Sequence, residues 1–119
     1  MDLQSVVGRT MHSAWEILHR DGTPAEVQVT FSAGSCLAFT VWTDWSLCAE
    51  LRAPGLPDYL WPPADFTWRK LPVALSEIVR AKELFDEAGV LSGAELESHG
   101  ALIAVRSYGG ELVVTWTSA

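Results

Sequence analysis

The chain has 119 residues, of which 49% are apolar, and its 15 acidic and 8 basic side chains give a net charge of −7. This composition predicts a single folded domain over residues 1–119 that forms its core without a metal ion or a disulfide. The negative charge argues against direct binding to nucleic acid or to an anionic membrane surface, and it favours a basic protein partner.

Residues 1–8 show neither the basic start nor the apolar run of a signal peptide. No apolar run reaches the roughly 18 to 20 residues that a membrane-spanning helix needs. We therefore expect a cytoplasmic protein. Cys36 and Cys48 lack the close spacing of metal ligands, and in that compartment we expect both to be free thiols.

Two strands are predicted before residue 33. Residues 9–18 alternate so that one face carries Met11, Ser13, Trp15 and Ile17. The dipeptide Asp21-Gly22, followed by Pro24, predicts a turn. The second strand then places Val27, Val29 and Phe31 on one face.

A hairpin and a further strand follow. A three-residue turn at Ala33-Gly34-Ser35 would set Phe31 opposite Leu37 and keep the apolar side chains of both strands on one face. Residues 46–51 continue as a strand, so the region is predicted to be a three-stranded antiparallel meander.

Residues 52–70 differ in composition from the segments on either side. Four prolines exclude a regular helix or a central strand through most of this stretch. It nevertheless carries five large apolar side chains: Tyr59, Leu60, Trp61, Phe66 and Trp68. A long irregular segment of this kind is either functional or laid across the core by its own side chains.

Residues 71–89 have the pattern of an amphipathic helix. The apolar positions recur at steps of three and four residues: Ala74, Ile78, Ala81, Phe85 and Ala88. Gly89 is a suitable C-terminal stop. The pattern predicts one helix whose apolar stripe packs on the sheet.

Residues 90–119 again predict β-structure, with a strand over residues 96–107. A two-residue turn at Gly109-Gly110 would place Val105 opposite Val114 and Ile103 opposite Trp116. The two β regions resemble each other in their glycines and their hairpins. Two explanations remain open: a duplicated three-strand unit, or the chance matches that hydrophobic alternation creates.

The predicted fold class is therefore α+β. It comprises an antiparallel sheet of about six strands, one helix packed on the sheet, and a long loop rich in proline and aromatic residues. No motif in the chain is specific enough to identify a family.

No catalytic or metal-binding constellation is recognisable. A nucleophilic set of Cys36 or Cys48 with His12 and Asp44 has no local signature, so we predict no catalytic residue. His12, His99 and Glu97 lack ligand spacing, so neither a metal nor a cofactor is expected.

The aromatic loop is the predicted partner-binding site, because Trp and Tyr with interspersed charges are typical of interaction hot spots. The predicted site residues are Asp58, Tyr59, Trp61, Asp65, Phe66 and Trp68. The competing interpretation is that most of these rings point inward and close the core. The function predicted from this site is a non-enzymatic protein-binding module, such as a small acidic inhibitor or immunity-type protein that neutralises a basic partner.

An alternative hypothesis is a small-ligand or carbohydrate-binding domain, including a weak hydrolase that uses two carboxylates in a tryptophan-lined cleft. The residues of this alternative site are Trp15, Glu16, Trp42, Asp44 and Trp45. An unpaired sheet edge would also allow a homodimer.

Overall fold

The computed structural model describes residues 2–118, which form nine β-strands in two antiparallel sheets. The first sheet has the order β4-β3-β2-β1-β5 and comprises β1 (Met11–Leu18), β2 (Pro24–Phe31), β3 (Cys36–Val41), β4 (Leu47–Arg52) and β5 (Thr67–Lys70). The second has the order β6-β7-β8-β9 and comprises β6 (Ile78–Phe85), β7 (Leu91–Ser98), β8 (Ala101–Tyr108) and β9 (Glu111–Ser118).

Two short 3-10 turns, Leu3–Val6 and Pro63–Asp65, are the helical elements in the part of the chain described. Over the same residues, no helix is long and apolar enough to cross a membrane.

The two sheets pack face to face around one hydrophobic core. Strand alternation places Val27, Val29 and Phe39 of the first sheet in the same buried cluster as Leu96 and Ile103 of the second. Strands β2 and β3 lie against β9, and β4 lies against β7. The first 3-10 turn closes one side of this core through buried side chains and lies against β6.

The helix predicted over residues 71–89 is wrong, because this segment contains an extended stretch followed by strand β6. A register irregularity between Ile78 and Arg80 lets Ile78 and Ala81 both face the core, three residues apart. Such a spacing imitates the periodicity of a helix. Gly89, at φ 77°, takes the left-handed conformation in the β6–β7 turn rather than at a helix end. The fold class is therefore all-β and not α+β.

The register predicted for the first hairpin is also wrong, although its three-residue turn is present. The backbone N–H of Phe31 donates to the carbonyl of Ser35, so the loop lies one residue earlier, at residues 32–34. Val29 consequently pairs with Leu37 and not with Phe39. Gly34, at φ 94°, then occupies the last loop position, where a left-handed residue is required. The partner of each β2 residue is thus two positions earlier in β3 than predicted. Because side chains alternate between the two faces of a strand, a shift of two keeps the apolar side chains on one face.

The last hairpin is confirmed, since Val105 pairs with Val114 and Ile103 with Trp116 around the Gly109-Gly110 turn. The single strand predicted over residues 96–107 is instead divided by a turn at His99-Gly100. Strands β1-β2-β3 and β7-β8-β9 are both consecutive antiparallel meanders. The duplication itself stays a prediction.

Candidate functional site

The proline-rich segment between β4 and β5 covers part of the outer face of the first sheet, the face that points away from the core. Because Val27 and Val29 face the core, the alternating residues Glu26 and Gln28 of β2 point to the opposite side. Both are nevertheless fully buried, at 0% exposure. The side-chain Nε2 of Gln28 donates to the carbonyl of Gly55 at 2.7 Å, so the segment is tied to the sheet beneath it.

Glu26 is the buried centre of a polar group that we call the Glu26 cluster: Glu26, Gln28, Arg52 and Tyr59. The Arg52 guanidinium forms an ion pair with Glu26 Oε2, and Gln28 Nε2 donates to the same oxygen at 2.7 Å. The Tyr59 hydroxyl donates to Glu26 Oε1 at 2.9 Å. A buried carboxylate needs such partners, because unpaired charge in a low-dielectric interior costs several kcal/mol.

Arg52 connects this cluster to the surface. Its Nη1 donates to Glu50 Oε1 at 2.7 Å and to the Tyr59 hydroxyl at 3.0 Å. Burial alone would lower the pKa of Arg52, but hydrogen bonds to Glu26, Glu50 and Tyr59 outweigh it and raise the pKa. Burial raises the pKa of Tyr59 to about 12, and the charge of Glu26 adds to this effect. At neutral pH the cluster therefore holds a cationic Arg52 and a neutral Tyr59.

Large aromatic rings are exposed around this cluster, at the end of the sandwich that contains the β3–β4 and β8–β9 turns. We call this surface the aromatic end; its rings are 60 to 79% exposed and belong to Trp42, Trp45, Tyr59, Trp61 and Tyr108. Three neighbouring clefts share His19 as a lining residue. The first is also lined by Trp42 and Tyr59, and the second by Trp61. The third is also lined by Gly110, in the turn that follows Tyr108. Segments that are far apart in sequence thus meet at this end of the molecule.

Trp45 is held in an unusual backbone conformation. Its φ of 68° lies in the left-handed region, which is rare for a bulky residue. The Trp45 carbonyl accepts from Ser107 Oγ at 2.6 Å, and a Cβ added to Gly110 would lie 2.7 Å from Trp45 Nε1. The indole therefore rests on the backbone of the β8–β9 turn. Strain that persists at an exposed aromatic residue is an observation that points towards function.

One cleft of the aromatic end has a volume of about 420 Å³, and we call it the Trp42–Tyr59 cleft. Its lining is His19, Ala25, Thr40, Val41, Trp42, Cys48, Glu50, Tyr59 and Leu60. The outer-face ladder of β3 and β4 forms its floor, with Thr40 opposite Cys48. The walls are thus mostly apolar or aromatic, and Glu50 supplies the one carboxylate in this lining.

The six residues of the predicted partner site divide into three groups. Asp58, Tyr59 and Trp61 are exposed, and the two rings belong to the aromatic end. Asp65 and Phe66 are half-buried: Asp65 pairs with Arg20 at 2.8 Å, and the Phe66 ring lies 5.3 Å from that of His19. Trp68 lies apart on the edge strand β5.

The alternative site is not assembled as predicted. Glu16 is buried and accepts from Arg69 at 2.5 Å, whereas Trp15 projects from the other side of β1 and packs edge-on against Trp68, with ring centroids 6.1 Å apart. Asp44 lies in the β3–β4 turn, where its hydrogen bonds to the hydroxyl and backbone of Ser46 lower its pKa. Only the two tryptophans of that turn, Trp42 and Trp45, join the aromatic end.

Among residues 2–118, neither thiol is hydrogen-bonded to a histidine. Burial raises the pKa of the Cys36 thiol, which pairs across the ladder with Arg52, and both cysteines are free. His12 is exposed on β1. Within residues 2–118 there is no group of three or more His, Cys, Asp or Glu side chains that could hold a metal ion.

Sequence reasoning missed the Glu26 cluster and Tyr108. Glu26 and Gln28 alternate with buried valines, a pattern that predicts solvent exposure, and no local signal shows that a distant segment covers them. Tyr108 had a usable signal, since a residue that flanks a Gly-Gly hairpin turn lies at a sheet end.

Comparisons of the chain with known protein families, with curated proteins and with solved structures found no match.

Proposed function

We propose that the protein is a non-enzymatic protein-binding module whose aromatic end docks onto a basic partner, as a small acidic inhibitor or immunity-type protein would. The observation that carries this proposal is the presence of five exposed Trp and Tyr rings at one end of the sandwich. Exposed aromatic patches of this kind usually have a role, and Trp and Tyr dominate the centres of protein interfaces.

Two of the five rings are also held in place before any partner arrives. Tyr59 is bonded through its hydroxyl to Glu26, and Trp45 rests on Gly110 while its carbonyl accepts from Ser107. Ordering a mobile side chain at an interface costs about 0.5 to 1.5 kcal/mol, so anchored rings favour tight binding.

The charge around the rings favours a basic partner. Arg20 and Arg52 are each engaged by acidic neighbours. Asp44, Asp58 and Glu111 are exposed and form no ion pair among the described residues. Unpaired acidic groups around an interface steer a cationic protein to it and raise the association rate.

The test is affinity capture with three forms of the protein: wild type, the double variant Trp42→Ala/Trp61→Ala, and Phe85→Ala as a matched control. Phe85 is an exposed aromatic residue on β6, the outer edge of the second sheet. We expect a basic protein to be retained in stoichiometric amount by wild type and by the control, and to be lost from the double variant. Equal retention by all three forms would contradict the proposal, provided that circular dichroism shows each variant folded.

The second candidate function is binding of a small ligand or carbohydrate, which the Trp42–Tyr59 cleft favours. Its volume of about 420 Å³ and its ring-lined walls are typical of small-molecule sites. Titration with a panel of neutral sugars tests this, with tryptophan fluorescence as the readout. A saturable shift that Trp42→Ala abolishes supports this candidate, and the absence of any shift counts against it.

A further inference from the structure

We infer that the Trp42–Tyr59 cleft receives a cationic side chain, arginine or lysine, that the basic partner inserts between the aromatic walls and the carboxylate of Glu50. This inference rests on the proposed function and names the chemistry that the partner must present. The cleft would thus bind a specific charged side chain, whereas the other rings of the aromatic end would only pack against the partner's surface.

Aromatic side chains form part of the cleft wall. Trp42 is 60% exposed and Tyr59 is 62% exposed, and both rings line the same cleft. The face of an indole or phenol ring carries negative electrostatic potential and attracts ammonium and guanidinium groups, by about 0.5 to 2 kcal/mol depending on solvent exposure. The Arg52 guanidinium already lies over the Tyr59 ring, 6.0 Å from its centroid, so Trp42 is the ring at which the cleft favours a second cation.

The charge close to the cleft is negative. Glu50 lines the cleft, and Arg52 joins it to Glu26 beneath the Tyr59 hydroxyl through two ion pairs. Two carboxylates and one guanidinium leave one net negative charge. Tyr59 adds none at neutral pH, because its pKa is raised to about 12. Glu50 Oε1 accepts a hydrogen bond from Arg52 Nη1, while Glu50 Oε2 accepts no hydrogen bond within residues 2–118. A second cation would complete this site.

The outer face of β3 and β4 sets the distance between Trp42 and Glu50. On the outer face of β3 and β4, successive cross-strand positions are Trp42 beside Ser46, Thr40 beside Cys48, and Ala38 beside Glu50. Trp42 and Glu50 are thus two ladder steps, about 13 Å, apart. Arginine and lysine combine an apolar stem with a charged end. The Trp42 indole and the Glu50 carboxylate both line the cleft, so the charged end would lie between them above Thr40, and the apolar stem would extend from there towards the partner.

The binding test uses three small probes: Nα-acetyl-arginine amide, Nα-acetyl-lysine amide and the neutral isostere Nα-acetyl-citrulline amide. Binding is followed by tryptophan fluorescence and by protection of Cys48, a cleft residue, from iodoacetamide. We expect saturable binding of the arginine and lysine probes and at least tenfold weaker binding of citrulline. The tighter of the two cationic probes identifies the inserted residue.

Variants separate the roles of charge and ring. Glu50→Gln and Trp42→Ala should each weaken binding of the cationic probes at least tenfold, while Phe85→Ala should bind as wild type does. Citrulline binding as tightly as arginine, undiminished binding to Glu50→Gln, or no saturable binding of either cation would overturn the inference.

Capture experiments then separate this inference from the proposed function. If the partner is lost from Trp42→Ala/Trp61→Ala but retained at wild-type affinity by Glu50→Gln, the docking surface stands and the cationic pocket is refuted. If the partner is retained by both variants, the docking surface itself is refuted. Loss of the partner from both, with retention by Phe85→Ala, supports the two together.

Discussion

Arg52 is the residue on which the structure makes its sharpest prediction about stability. Substitution Arg52→Met keeps an unbranched apolar stem but removes the guanidinium from Glu26, which is 0% exposed. Gln28 and Tyr59 then remain as its donors, and neither carries a compensating charge. Removing one partner of a buried ion pair typically costs about 3 to 5 kcal/mol, because it leaves the other charge uncompensated.

A loss of this size is a large share of the total stability of a small domain, which is about 5 to 15 kcal/mol. It should lower the melting temperature by about 12 to 20 °C, at about 4 °C per kcal/mol for a chain of this length. The assay is urea unfolding at neutral pH, followed by tryptophan fluorescence, with thermal melts as a second readout.

The matched control is Arg80→Met. Arg80 and Glu97 form an ion pair on the outer face of β6 and β7, with side chains 67% and 46% exposed. Loss of such a pair costs about 0 to 1 kcal/mol. The double variant Glu26→Gln/Arg52→Met should recover part of the loss, since no buried charge remains. If Arg52→Met costs no more than Arg80→Met, the reasoning about the Glu26 cluster is refuted.

Three further predictions follow from the contacts of the aromatic end and the outer face. The pKa of Tyr59 is raised to about 12 from its ordinary 10.0, so the unfolded chain loses this proton first. The stability advantage of wild type over Tyr59→Phe should therefore be complete below pH 10 and decrease towards pH 12; a constant difference in unfolding free energy contradicts this. Gly34→Ala and Gly110→Ala should each lower the free energy of unfolding by about 1 to 2 kcal/mol through backbone strain. Only Gly110→Ala should also displace Trp45 and change its fluorescence, because only at Gly110 would an added Cβ meet the indole. An unchanged spectrum would show that the ring does not rest there. Finally, Cys36 is buried, and that burial raises the pKa of its thiol. A thiol reagent should therefore label only Cys48 in the native protein and both cysteines in the denatured protein. Rapid labelling of both cysteines in the native state would contradict this placement.

Local alternation and turn chemistry were sufficient to predict most of the first meander and the last hairpin. In β2, the valines at alternate positions correctly indicate the core face, and Gly109-Gly110 sets the register of β8 and β9. The register of the first hairpin needed one more fact. Gly34 occupies the last position of the loop rather than the middle, and only backbone geometry distinguishes the two placements.

The region 71–89 was mispredicted because a strand with an irregular register can carry the spacing of a helix. Ile78 and Ala81 are three residues apart and both face the core, and Gly89 is as suitable for a hairpin turn as for a helix end. Periodicity describes which side chains are buried and not how the backbone places them. Tertiary pairing with β7 decides between the two structures.

The candidate site was predictable only in part, for a related reason. Composition identified Tyr59 and Trp61 as candidates for an exposed surface. The position of Trp42 beside Tyr59 in one cleft depends on how two distant segments pack, which alternation within a strand does not reveal. The same holds for Glu26, whose burial depends on a cover contributed from residues about 30 positions away, as the Tyr59 hydroxyl bond shows.

The central claim is that the aromatic end is the surface that docks on a basic protein. Hydrogen–deuterium exchange of backbone amides, measured for the free protein and for its complex with the captured partner, tests this most directly. We expect slower exchange on binding at residues 42–46, 58–62 and 108–111, and no change on the outer face of the second sheet. Protection confined to that outer face, with none in the three segments, would contradict the account.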